Sequence, residues 1–115
     1  SPAAPVFHQL VPGTLLLQWE PSSKSVLRYH VRLRLMGTTA WLLFDQRTGT
    51  LVEYGNQPVE APETECIVKN LLEHRRYEAD VAAEDDVGVS QPSPASSPAR
   101  PEAVTFRALL HGLAG

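Results

Sequence analysis

Residues 27–35 read Leu27-Arg28-Tyr29-His30-Val31-Arg32-Leu33-Arg34-Leu35, and apolar and basic side chains alternate through all nine without a fault. A period of two belongs to a half-buried β-strand; a helix would scatter the four basic positions around its whole circumference. Gly37 closes the run. The same period recurs on either side. Thr14–Glu20 sets Leu15, Leu17 and Trp19 on one face before Pro21, Glu65–Asn70 does so with Cys66 and Val68, and Arg76–Glu84 with Tyr77, Ala79, Val81 and Ala83. Short strands punctuated by turn residues, with no amphipathic helix between them, predict an all-β antiparallel sandwich.

The chain has 115 residues, enough for one domain with short tails. Ten lysines and arginines against thirteen aspartates and glutamates leave a net charge of -3, where a nucleic-acid binder carries a basic excess. Apolar runs such as Trp41-Leu42-Leu43-Phe44 fall far below the ~18 residues of a membrane span, so neither nucleic-acid binding nor membrane insertion is expected. The lone Cys66 forbids an internal disulfide and any multi-cysteine zinc site. No Asn-x-Ser/Thr acceptor occurs, and both absences lean towards a reducing, cytoplasmic setting, with an extracellular one still open. From Gln91 the sequence turns to Gln-Pro-Ser-Pro-Ala-Ser-Ser-Pro-Ala-Arg-Pro, which reads as a last edge strand dissolving into a linker. The expected division is a domain over residues 1–96 and a Pro-rich tail over 97–115. In that tail Phe106, Leu109, Leu110 and Leu113 form a helix-like stripe, while Val104, Phe106 and Ala108 alternate as a strand would.

Taken together, Trp19-x-Pro21, Tyr29-x-Val31, Trp41, Thr64-x-Cys66-x-Val68-x-x-Leu71, Tyr77 six residues after Leu71, Val81-x-Ala83 and Gly88-x-Ser90-x-x-Ser93 resemble a fibronectin type III domain over roughly residues 3–96. The stretch Val81–Ser93 is most similar to the versions in giant intracellular muscle and cytoskeletal proteins. The resemblance implies a seven-stranded antiparallel Greek-key β-sandwich of the immunoglobulin-like kind, with a core of Trp19, Tyr29, Trp41, Leu71 and Tyr77 and with Tyr77 as the tyrosine-corner residue bonding back near Leu71. It also implies a non-catalytic module that binds other protein domains in cis or trans, monomeric when isolated. The alternative is a ligand-binding or adhesion module of a receptor ectodomain. Two departures stand out: Glu73-His74-Arg75-Arg76 lacks the glycine usual before the corner tyrosine, and Asp45–Pro62 is longer than the usual connection.

Chemistry-bearing groups are sparse. Neither a nucleophile elbow, a metal-binding His pair nor a phosphate-cradling glycine loop occurs, and the four histidines are scattered, so no enzyme, cofactor or metal is expected. The basic row Arg28, His30, Arg32, Arg34 suggests an anion site by itself. In the sandwich it faces Glu78, Asp80, Ala82 and Glu84 of a neighbouring strand, so a self-neutralised ladder is the stronger reading. On Trp41–Phe44, Trp41 and Leu43 are expected inward and Leu42 with Phe44 outward. Masking of that pair by Leu51, Val52 and Tyr54 is the bland outcome. Leu42, Phe44, Arg75 and Arg76 are the candidate contact residues.

Overall fold

The computed structural model describes residues 2–23 and 25–102. Among the described residues eight strands form: β1 (Val6–Gln9), β2 (Leu15–Gln18), β3 (Arg28–Leu35), β4 (Trp41–Asp45), β5 (Thr50–Val52), β6 (Val59–Glu60), β7 (Glu65–Val68) and β8 (Tyr77–Glu84). All pairings are antiparallel. One sheet runs β1-β2-β7; the other places β5, β4, β3 and β8 side by side, with β6 joining the start of β3. The architecture is the expected all-β sandwich, with eight strands where seven were expected: the long Asp45–Pro62 connection adds two short ones, β5 and β6, and the expected last edge forms no regular strand.

The alternation dictates the packing. Leu15 and Leu17 of β2, Tyr29, Val31 and Leu33 of β3, Cys66 and Val68 of β7, and Tyr77, Ala79, Val81 and Ala83 of β8 turn inward and are buried. Trp19 meets Tyr29 edge to face, with ring centroids 5.5 Å apart, a geometry that the positive ring edge and negative ring face favour. Leu71 sits beside this core, and the Tyr77 hydroxyl accepts the Leu72 N–H at 2.9 Å. Asn70 reaches Leu71 through a left-handed conformation, φ 59°, which asparagine tolerates better than most residues.

Two expectations about β4 are reversed. Leu42 lies opposite Leu33, which is fully buried, so Leu42 and Phe44 face inward and Trp41 and Leu43 outward. Phe44 is 2% exposed and belongs to the core; it is no surface residue. Trp41 leaves the core and lies half-buried on the outer face, opposite Arg34. Leu51 pairs with Phe44 and packs on the core, whereas Tyr54 points into water and masks nothing.

The segment after β8 continues the sheet beyond the expected boundary at residue 96. Ser90, Ser93, Ser96 and Ala99 donate backbone N–H bonds to the carbonyls of Ala83, Val81, Ala79 and Tyr77 at 2.8–2.9 Å. Three residues advance on the edge for every two on β8, one extra residue per repeat, so the edge is bulged throughout rather than a regular strand. The return bonds show how this is possible. The N–H groups of Ala83, Val81 and Ala79 donate to the side-chain oxygens of Ser90, Ser93 and Ser96 at 2.9–3.0 Å. Each hydroxyl thus replaces a backbone carbonyl that the extra residue has displaced. At Ala99, which has no hydroxyl, the ordinary two-way backbone pair with Tyr77 returns. The buried Pro101 ends the segment, its carbonyl accepting the Gly13 N–H while the Gly13 carbonyl accepts the Leu71 N–H. Gly13 holds φ +81° there, a region that favours glycine. The Phe106–Leu113 stripe and its alternating counterpart lie outside the described residues.

Candidate functional site

The outer face of the β4-β3-β8 sheet carries the densest chemistry. Register places Arg28 opposite Glu84, Arg32 opposite Asp80 and Arg34 opposite Glu78, and each opposition is an ion pair. Arg32 grips Asp80 with two bonds, Nε–Oδ1 at 2.9 Å and Nη2–Oδ2 at 2.6 Å, the bidentate form that fixes geometry as well as charge. His30 has Ala82 opposite and reaches Glu84 instead, Nε2 to Oε1 at 2.6 Å, beside Arg28, which also touches Glu60. Asp80 and Glu78 are almost fully enclosed. The electrostatics follow. The His30 and Arg28 bonds hold the Glu84 carboxyl below its usual range, and the bonds from Asp80 and Glu84 push the Arg32 and Arg28 guanidinium groups up.

Trp41 completes this face. The guanidinium carbons of Arg32 and Arg34 lie 4.6 and 4.7 Å from the centre of its ring system, within the ~6 Å range of a cation–π contact. The two arginines therefore bind carboxylates at one end of their fork and both contact the indole ring alongside. An outward tryptophan is stable because it is covered by its neighbours' cations. Every basic residue of the row is committed within the sheet, and what the face can do chemically is stiffen β3, β4 and β8 against one another.

Other ionisable groups also serve local structure. Asp45, 1% exposed, accepts the Gln57 N–H at 2.9 Å, the Thr48 hydroxyl at 3.0 Å and the Arg47 N–H at 3.3 Å. These bonds hold its carboxyl below the ordinary 3.8. Asp45 pins the β4–β5 turn to the segment that follows; its isolated place in the sequence carried no signal of this role. Within Glu84-Asp85-Asp86, Asp85 accepts the Val87 and Gly88 N–H groups and shapes a turn. Burial pushes the Cys66 thiol up to about 12, which keeps it protonated. Among the described residues no cluster of three or more metal-ligating side chains occurs, and no helix is long and apolar enough to cross a membrane.

Of the candidate contact residues, Leu42 is half-buried and Phe44 buried, so the structure does not gather all four into one surface. Arg75 and Arg76 are exposed in the β7–β8 turn and form no ion pair among the described residues. The Arg75 N–H bonds Leu72 and the Arg76 carbonyl accepts the Met36 N–H, so the backbone is fixed while both guanidinium groups face water. At the opposite end, Val87 and Val89 stand exposed beside an open cleft of about 480 Å3 lined by Pro2, Val26, Ala83 and Asp85.

The sequence matches the fibronectin type III domain family over residues 1–99. It is 31% identical over 101 residues to the muscle M-line assembly protein unc-89 of Caenorhabditis elegans, an alignment covering 84% of this chain and 1% of that protein. Solved structures with the same fold include a titin module from human cardiac muscle, with TM-score 0.63, 24% identity and coverage of 88% of this chain and 90% of that one. The FN1–FN3 domains of chicken CNTN1 superpose with TM-score 0.70 at 16% identity, over 90% of this chain and 32% of that one. With the sandwich, the tyrosine corner and this match over most of its length, the chain belongs to the fibronectin type III family.

Proposed function

We propose that this chain is a non-catalytic architectural module that spaces and binds other protein domains within a larger cytoplasmic muscle or cytoskeletal polypeptide. The observation that carries the reading is the saturated ladder. A face bearing four basic and three acidic side chains commits them to one another, which suits a stiff spacer better than a substrate site. The likeness to a muscle M-line assembly protein supports the setting. Contact is assigned to Arg75 and Arg76, whose charges are available to an acidic surface on a neighbouring domain; Leu42 faces the core and takes no part in it. In isolation the module is monomeric.

The test is the Arg75→Glu/Arg76→Glu double variant in the full-length protein, imaged in differentiated muscle cells beside wild type. Wild type takes up striated positions and the double variant disperses, while circular dichroism of the purified module shows the sheet intact. Equal striation by both proteins overturns the contact assignment, and delivery of wild type to the cell exterior overturns the architectural reading.

A further inference from the structure

We propose that Ser97 is a phosphorylation site for a proline-directed serine/threonine kinase, selected by the three-residue phase of the bulged edge. That edge contains two Ser-Pro dipeptides, Ser93-Pro94 and Ser97-Pro98. In sequence they look alike. The fold separates them. Ser93 falls on the repeat that faces β8, is 6% exposed, and its hydroxyl accepts the Val81 N–H and donates to the Pro94 carbonyl. Ser97 follows Ser96, the last serine in phase, and is therefore turned away from β8. It is exposed, as is Pro98, and its hydroxyl makes no hydrogen bond among the described residues. Its neighbours Ser96 and Ala99 are anchored to Ala79 and Tyr77, so residues 97 and 98 form a short exposed ridge. An open cleft separates that ridge from Pro5, Val6 and Phe7 of the facing edge.

The surrounding residues fit the chemistry. Phosphoryl transfer depends mainly on placing the acceptor hydroxyl in line with the γ-phosphate. Ser97 can present its hydroxyl without giving up a bond, and Ser93 cannot. Pro98 fixes its own φ near about -65° and offers no N–H, the feature proline-directed kinases accept immediately after the serine. Arg100, three residues on, is exposed, and among the described residues its guanidinium has only a 3.5 Å contact to Glu102. In the transfer, the Ser97 oxygen bonds to the γ-phosphorus of ATP and the bond to the β–γ bridging oxygen breaks. ADP leaves and the hydroxyl proton passes to the kinase's catalytic carboxylate. The product adds roughly -1.5 to -2 charge to a surface ridge on a chain of net charge -3. Because Ser97 takes no part in the serine ladder, the new charge alters what the edge presents to a partner and leaves the sandwich standing.

The purified 115-residue chain is incubated with a proline-directed kinase and Mg-ATP, beside a synthetic peptide spanning residues 90–102, and phosphate is located by mass spectrometry. The expected result on this edge is modification of Ser97 and not Ser93 in the folded chain, and of both in the peptide. Ser97→Ala and Pro98→Ala abolish incorporation into the edge of the folded chain, and Ser97→Glu melts within about 3 °C of wild type. Failure of Ser97 to accept phosphate in the folded chain overturns the proposal. So does a ratio of Ser93 to Ser97 that is the same in chain and peptide.

Discussion

Single side chains decide more here than their number suggests. Tyr77 fills the core with its ring and closes the β7–β8 turn with its hydroxyl, which accepts the Leu72 N–H. Tyr77→Phe keeps the packing and removes only that acceptor, so it is expected to cost about 1–2 kcal/mol, measured as a lower urea midpoint with an unchanged slope. Trp41 shows where reading from sequence stops. In Trp41-Leu42-Leu43-Phe44 both parities are apolar, so period-two logic cannot choose the inner face. Family resemblance placed Trp41 in the core, yet its register opposite Arg34 sends it outward. The deciding partners, Arg32 and Arg34, are seven to nine residues away on another strand. Their stacking makes an outward indole stable, and no pattern within β4 announces it.

At the level of elements, β2, β3, β7 and β8 were legible because each buries one face and shows water or charge on the other. The ladder partners followed once β3 and β8 were set side by side: Arg32 meets Asp80 as the alternation requires. The last edge was not legible as ordered structure. Its repeat is three, its composition is that of a linker, and the bonds holding it come from side-chain hydroxyls that secondary-structure patterns do not count. Those hydroxyls give a sharp expectation. Ser93→Ala and Ser96→Ala each leave a buried β8 N–H, of Val81 or Ala79, without an acceptor, at an expected cost of about 1–3 kcal/mol. Ser97→Ala is expected to change stability by less than about 0.5 kcal/mol. Thermal melts of the three variants check the phase of the ladder directly; equal losses at 93, 96 and 97 contradict it.

Across the whole molecule, the carboxyls of Asp45, Glu84 and Asp85 are all held below their ordinary values by the bonds they accept. A carboxyl depressed in the folded state contributes stability above its unfolded pKa and loses that contribution as pH falls through the folded value. The unfolded values lie near 3.8 for aspartate and 4.5 for glutamate, so stability is expected to hold from neutrality to about pH 5 and to fall progressively below about pH 4. Urea unfolding at a series of pH values checks this, and Asp45→Asn is expected to flatten the acid limb. The bulged edge has a consequence on the same scale. Wherever sandwiches are joined by short linkers in one polypeptide, they share an effective concentration in the millimolar range. A straight outermost strand would be a standing invitation to exchange strands with the next domain or to nucleate co-aggregation along the array. An edge out of step with any regular strand, with Pro92, Pro94 and Pro98 deleting donors along it, presents no template for a neighbour to copy.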